Sequence, residues 1–364
     1  MKETSRDDEP ATGQARARMS VGDAAQWEEI QRWKEAQISP RRPRVISQRL
    51  RSYLMAPLGT IVSVARKVPG GAAVARAVSA VGLSLMEKTT SVSEASVRRR
   101  LILRAYRKAG YDVACLEDIR RLGLELDQIR PVRPHLKIAY SSAAAAEGAF
   151  SGVVASGASI AAVLGLGVAS APGIALTASV VALDIATFLG AATRLVSHTA
   201  AYYGYDTVDP AENLFATMVL SQAIDPAGSG HDFVVEKQTT MLAFNKVMRD
   251  LARRGSLDGL GGNVVVSAMN SLFSAMGVRL ASRKLAQIVP VAGVVVSAGL
   301  NAALMRTIGE TADHLYRERF LAERYGHVET VDGVSTDLVR PADAQELSAD
   351  IARYVEITEA ESRP

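Results

Sequence analysis

Three carboxylates at intervals of three residues, Asp206, Asp209 and Glu212, form a group that could bind a divalent cation. The stretch lacks the alternating ligands of a calcium loop, however. Helix capping also explains two of the acids, because Asp209, Pro210 and Glu212 fit the N-cap, N1 and N3 positions of a new helix. We therefore expect a helix corner here and no metal site.

The residues before Pro210 complete this corner. Gly204 fits the C-terminal cap of a preceding helix, because glycine adopts the left-handed conformation without steric cost. Phe215 falls on the side of the new helix that we expect to be buried. We refer to seven residues as the helix-corner motif: Tyr203, Gly204, Asp206, Asp209, Pro210, Glu212 and Phe215.

An enzymatic site is the first alternative. Glu310 and His314 lie one helical turn apart and, with Asp206, are the candidates for a hydrolase site where the corner meets a later helix. The simpler interpretation is an exposed i,i+4 pair. The sequence has no H-E-x-x-H, no G-x-S-x-G and no P-loop, so we predict no catalytic residue and no cofactor.

Two polar side chains are predicted inside apolar helices. Asp184 lies in "VVALDIATFLG" and Asn301 in "SAGLNAALM". A carboxylate buried without a partner would be costly, so Asp184 either makes a polar contact within a helix bundle or reaches water at a helix edge. Asn301 and Asn270 allow the same two interpretations. The single cysteine, Cys115, excludes an internal disulfide and fits a small core residue in a reducing compartment.

The elements that would position these residues are predicted to be helices. Low aromatic content, 5%, with abundant Ala, Val, Leu and Gly favours closely packed helices in an all-α, multi-helix bundle. Between Glu147 and Asp184 lie 36 consecutive uncharged residues, interrupted at Pro172–Gly173. This run predicts a Gly/Ala-rich apolar helical hairpin, which either inserts in a bilayer or remains buried or docked on a surface.

Charge is distributed unevenly. Residues 41–137 contain 20 Lys and Arg against 7 Asp and Glu, although the whole chain has a net charge of only +4. Much of this charge lies in a helix predicted from "TTSVSEASVRRRLILRAYRKAG", with a capping box at Ser91 and Glu94 and a cap at Gly110. Its arginines are predicted to bind a membrane or a partner: Arg98, Arg99, Arg100, Arg104 and Arg107.

The partner of this basic region could be an anionic membrane, a nucleic acid or the acidic remainder of the same chain. We rank nucleic acid below membrane, because stacking aromatics and known nucleic-acid motifs are missing from the sequence. The start of the chain shows no secretory signal, which favours a cytoplasmic location.

Four regions follow from these patterns. Residues 1–40 are interpreted as a polar, flexible extension with one short helix around Trp27, Ile30 and Trp33, and residues 41–140 as a basic helical region. Residues 141–326 form the Gly/Ala-rich core, which ends in apolar segments at 263–278 and 285–305 and a charged helix at 306–325. Residues 327–364 form an acidic tail, with a small β-hairpin at Asp332–Gly333 and a helix over 342–355.

Two separated motifs resemble those of the EcsC family of bacterial proteins. They are "YYGYDTVDPAENLFATMVL" and "IVPVAGVVVSAGLNAALMRTIGETADHLYRERFLAE", and the resemblance covers about 91–325. Ser297 departs from it, because a second glycine is expected there. The resemblance implies an all-helical, membrane-proximal protein and supplies no catalytic activity.

The sequence thus predicts a non-enzymatic helical protein that attaches to the cytoplasmic face of a membrane or to a membrane complex. Its basic region would attract anionic lipid, and its apolar hairpin would insert or contact a partner. The alternatives are an unrecognised hydrolase and a soluble protein-interaction module.

Overall fold

The computed structural model describes ten stretches of the chain, and side chains are described in all of them except at 38, 171–184, 186 and 293–300. The stretches are 18–38, 97–144, 171–224, 268–273, 275–277, 280, 293–325, 349, 351–353 and 355–356. These stretches contain helices and no strand, so the predicted all-α class is confirmed. The β-hairpin predicted at Asp332–Gly333 lies outside the described residues.

Eight helices organise this part of the chain. They are α1 (Val21–Ile38), α2 (Arg99–Lys108), α3 (Leu116–Arg121), α4 (Leu126–Ile129), α5 (136–144), α6 (Ala171–Tyr202), α7 (Pro210–Ala223) and α8 (Gly293–Tyr325). Residues 268–273 and 275–277 are also helical.

Helices α6, α7 and α8 pack against one another and form the centre of the fold. All residues from Ala211 to Ala223 in α7 are buried, as are all from Leu315 to Leu321 in α8. A helix that is buried on every side lies inside a bundle and not at its surface. The sequence predicted only one buried face for α7, and the whole helix proves to be enclosed.

Helix α1 packs against α8 and α4, so the interpretation of residues 1–40 as a flexible extension is wrong for Val21–Ile38. The helix predicted around the tryptophans is confirmed: Trp27 and Ile30 are buried and Trp33 is partly buried against the core. Apolar contacts and a buried ion pair with α8 hold this helix in place.

Helix α2 begins later than predicted. It starts at Arg99, after the non-helical residues Val97 and Arg98, so a continuous helix from the Ser91 capping box is wrong at this point. The predicted cap at Gly110 is confirmed by its φ of 94°. Ile102, Leu103 and Tyr106 are its buried residues.

Two predicted segments form one helix. The apolar segment ending at Met305 and the charged helix starting at Arg306 are continuous in α8, which has 33 residues. Pro172 and Gly173 lie in the first turn of α6, where a proline costs no helical hydrogen bond. The preceding arm of the predicted hairpin, Pro290 and the domain boundaries predicted at 40 and 326 lie outside the described residues, and the boundary predicted at 140 falls within α5. No described helix combines the length and apolar character needed to cross a bilayer.

The C-terminal helix is confirmed at 351–353, where Ile351 is buried in the hydrophobic core.

Candidate functional site

The predicted helix corner is confirmed between α6 and α7. Gly204 lies in the turn that follows α6 and has a φ of 85°. A carboxylate oxygen of Asp209 accepts a hydrogen bond of 2.9 Å from the Ala211 amide at the start of α7, and Pro210 is the first helical residue. Asp206 closes the turn between them by accepting 3.1 Å from the Val208 amide. These acids therefore satisfy backbone donors, and the described residues contain no cluster of ligands that could hold a metal.

Gly204 also lies against another helix. A Cβ atom at this position would come within 2.8 Å of both the Leu116 carbonyl oxygen and Arg120 Cγ in α3. The glycine thus permits two things at once, a left-handed backbone and close contact with α3. The left-handed backbone alone would favour glycine here, and the close approach of α3 alone would also favour it.

Arg319 of α8 contacts the corner from the interior of the bundle. Its two terminal nitrogens donate 2.7 Å and 2.5 Å to the two carboxylate oxygens of Glu212, and its Nε donates 2.9 Å to Glu323. The guanidinium lies 4.3 Å from the centre of the Tyr205 ring and 4.6 Å from that of Phe215. Burial lowers the pKa of Arg319, but the carboxylates of Glu212 and Glu323 raise it above its ordinary value, so the charge is retained.

A second cluster of charges binds Tyr203 of the helix-corner motif. Tyr203 donates a hydrogen bond of 2.8 Å to Asp313, whose carboxylate also pairs with Arg133 and Arg317. Burial raises the pKa of Asp313, but the guanidiniums of Arg133 and Arg317 lower it by more. The pKa is therefore below its ordinary value, and the carboxylate stays ionised. The corner is thus joined to α8 by two clusters of paired charges, one buried and one partly buried.

Two tyrosine hydroxyls in this interior have no hydrogen-bond partner among the described residues. They belong to Tyr205 and Tyr316, whose rings pack 5.5 Å apart. Burial raises the pKa of both phenols well above its ordinary value. They are neutral, enclosed side chains and do not act as acids or bases near neutral pH.

The three candidates for hydrolase chemistry have separate partners. Asp206 pairs with Arg99 at 3.0 Å, and the Glu310 carboxylate pairs with Lys137 at 3.4 Å. His314 is partly buried, stacks on Trp33 at 4.4 Å, and hydrogen-bonds through Nδ1 to the backbone oxygen of Glu310 at 2.6 Å. The expectation of an exposed Glu310–His314 pair is therefore wrong for His314, and no hydrogen bond or ion pair among the described residues joins Asp206 to Glu310 or His314.

The residues that were predicted inside the fold differ in their burial and in their partners. Asn301 is fully buried, and neither its amide nitrogen nor its oxygen has a hydrogen-bond partner within the described part of the chain. Asn270 is partly exposed. Asp184 has its backbone well inside α6, but its side chain lies outside the described residues. Cys115, expected in the core, is exposed at the start of α3.

The predicted basic residues of α2 form a solvent-facing surface. We define the basic face as five exposed side chains: Arg98, Arg100, Arg104, Arg107 and Lys108. Within the described part of the chain, none of the five forms an ion pair, whereas Arg99 pairs with Asp206. Leu101 lies among them and is 47% exposed.

Other basic residues of the region 41–137 pair with acids of α8. Arg120 contacts Glu323 at 3.3 Å, and Arg133 and Lys137 contact Asp313 and Glu310. The acidic remainder of the chain is therefore one partner of the basic region. It pairs with these three cations and leaves the basic face uncovered by any described acid.

Comparison with known proteins supports the motifs that form this site. The model of the EcsC protein family matches residues 24–321, which include most of α1, the basic face, the corner and most of α8. The chain belongs to the EcsC protein family. No curated protein and no solved structure matches it.

The match of this EcsC protein begins within α1 and thus extends further toward the N-terminus than the resemblance that starts at residue 91. Sequence reasoning also missed the charged residues inside this fold, chiefly Arg317, Glu318 and Arg319. A signal was present, because three consecutive residues of a helix point in directions about 100° apart. Arg317, Glu318 and Arg319 therefore cannot all face solvent when the apolar pairs on either side of them, Leu315–Tyr316 and Phe320–Leu321, are buried.

Proposed function

We propose that this EcsC protein binds the cytoplasmic face of a membrane peripherally, through the basic face of α2. The observation that carries this proposal is a row of exposed cations on one helix, without a neighbouring acid in the helix and with an exposed leucine among them. Each basic residue held near an anionic leaflet contributes about 1 kcal/mol of attraction.

The spacing of the basic face suits a flat surface. Arg100, Arg104 and Arg107 recur at intervals of four and three residues, which places them on one side of α2, opposite Ile102 and Tyr106. Leu101 can enter the interface between headgroups and acyl chains while the arginines contact phosphates. Such a helix lies along a membrane and does not cross it.

Two contacts attach α2, which carries the basic face, to the rest of the fold. The Tyr106 hydroxyl donates 2.5 Å to the backbone oxygen of Tyr202, so α2 is attached to the C-terminal end of α6. Arg99 attaches the start of α2 to Asp206 in the helix corner. Binding through α2 would therefore place the corner and the central bundle at a defined position relative to the membrane.

Flotation of the purified protein with anionic and neutral liposomes, at low and high salt, tests the proposal. We expect binding to anionic liposomes only, with loss at high salt because exposed charges are screened. Replacing Arg100, Arg104 and Arg107 with Glu should reduce binding to the background level of neutral liposomes.

The control replaces three exposed arginines elsewhere, Arg32, Arg121 and Arg130, with Glu. It changes the net charge by the same amount and should retain most of the binding. Equal loss in both variants would show attraction by net charge alone and would contradict a binding face on α2. Absence of flotation in the wild-type protein would also contradict the proposal.

A further inference from the structure

We infer that the basic face recognises phosphomonoester headgroups, and does not respond only to surface charge. This inference rests on the proposed membrane binding and adds the chemical class of the lipid. It depends on which cations form the face, how far apart they lie, and the pairing of the neighbouring Arg99 with Asp206.

The face is built mainly from arginine. Four of its five members are arginines, and only Lys108 is a lysine. A guanidinium presents a planar set of donors that can bind two oxygens of one phosphate, whereas an ammonium acts as a compact point charge.

Arg100 and Arg104 are the pair best placed to hold one phosphate. They lie one helical turn apart, about 6 Å along the axis, and both are exposed. Long flexible side chains at this separation can converge on a single group. The helix carries no acid that would compete for either guanidinium.

Arg99, which precedes Arg100 in sequence, is partly exposed but already paired with an acid. Its guanidinium lies 3.0 Å from Asp206, on a different side of the helix from Arg100 and Arg104. The corner acid therefore selects which arginines remain available. This arrangement leaves a defined pair of arginines on the face instead of a diffuse cluster.

The oxygens of a phosphomonoester match two guanidiniums better than those of a diester do. A monoester presents three terminal oxygens and nearly two negative charges at neutral pH. A diester presents two free oxygens and one charge, which a single guanidinium satisfies. Two adjacent arginines therefore favour a lipid such as phosphatidic acid over phosphatidylglycerol.

The experiment compares flotation on liposomes that contain phosphatidic acid or phosphatidylglycerol, with lipid fractions adjusted to the same zeta potential. We expect the wild-type protein to bind phosphatidic acid liposomes about tenfold more tightly, the factor set by one additional charge-assisted hydrogen bond. In the double variant R100K/R104K this preference should disappear while binding to phosphatidylglycerol liposomes persists. The control R32K/R121K should keep the preference.

Equal binding of the wild-type protein to the two liposomes would overturn the inference and leave the proposed membrane binding intact. Persistence of the preference in R100K/R104K would also overturn it, because an ammonium would then suffice. Loss of binding to every anionic liposome by the wild-type protein would instead contradict the proposed function itself. Circular dichroism establishes that the lysine variants retain the helical fold.

Discussion

Gly204 shows how much structure one residue can determine. Its φ of 85° lies in the region that favours glycine, and a Cβ would come within 2.8 Å of a backbone oxygen in α3. Flexible side chains can move aside, but a helical carbonyl cannot move without losing its own contacts. Both the turn and the packing of α3 on the corner depend on this position.

We therefore predict that Gly204→Ala lowers the free energy of unfolding by at least about 2 kcal/mol, from left-handed strain plus the clash. The measurement is urea denaturation monitored by circular dichroism. Gly110→Ala is the matched control, since Gly110 has a φ of 94° but an added Cβ there would meet no atom within 4 Å. It should cost only about 1 kcal/mol. Equal losses in the two variants would contradict a role for the α3 contact.

At the scale of elements, α1 is attached to α8 through a buried ion pair. Lys34 Nζ lies 2.5 Å from a Glu318 carboxylate oxygen, and both side chains are 0% exposed. Asp23 at the other end of α1 accepts hydrogen bonds from the Leu126 amide at 3.0 Å and the Tyr325 hydroxyl at 2.7 Å. Polar contacts thus fix both ends of the helix, and Trp27 and Ile30 pack between them.

Removing one member of this ion pair should be costly. We predict that Lys34→Met destabilises the protein by about 3–5 kcal/mol, because Glu318 would remain as an uncompensated buried charge. The two tryptophans of the chain, Trp27 and Trp33, both lie in α1, so their fluorescence reports docking of this helix. A red shift at lower urea concentration than in the wild type is the expected result.

Two further variants test this explanation. In Lys34→Met/Glu318→Leu both charges are replaced by apolar groups, and most of the lost stability should return. Arg32→Met changes an exposed cation on the same helix and should change stability by less than about 1 kcal/mol. A double variant as unstable as Lys34→Met would show that the ion pair itself, and not the unpaired charge, stabilises the fold.

These elements show what sequence patterns can and cannot predict. Capping signals are local, so residue types alone place Gly110, Gly204, Asp209 and Pro210 correctly. The pairing of Arg319 with Glu212 joins residues 107 positions apart, and a single sequence contains no record of such contacts. The same limit explains the interpretation of α1 as an extension, since its polar residues are common on exposed helices and their partners at Leu126 and in α8 are distant in the sequence.

At the scale of the whole molecule, several distant regions meet through paired charges, some of them partly buried. Arg317 of α8 contacts Glu29 of α1 at 3.2 Å and Asp313 at 3.4 Å, and Asp313 in turn binds Tyr203 of the corner. Such ion pairs contribute little net stability, and we infer that they disfavour alternative packings in which Arg317 or Asp313 would lose its partner. The central helices are small-residue or apolar over much of their length, so these charges help to specify one arrangement of the bundle.

The stability of this assembly should depend on pH through two partly buried histidines. His198 lies between Tyr140 and Tyr202, with its ring centroid 6.3 Å and 5.6 Å from theirs. Burial and the nearby Arg194 lower its pKa. Burial and Arg317 likewise lower the pKa of His314, although Asp313 and Glu29 partly oppose the shift.

We predict that the free energy of unfolding falls as the pH decreases from 7.5 to 5.5. The unfolded histidines bind protons below their ordinary pKa of about 6.5, whereas the folded ones resist protonation, so acid favours the unfolded state. The loss is at most about 1.4 kcal/mol for each histidine at pH 5.5. Urea denaturation at several pH values measures it, and the double variant His198→Phe/His314→Phe should show a flatter profile. Equal slopes in the variant and the wild type would assign the acid sensitivity to other groups.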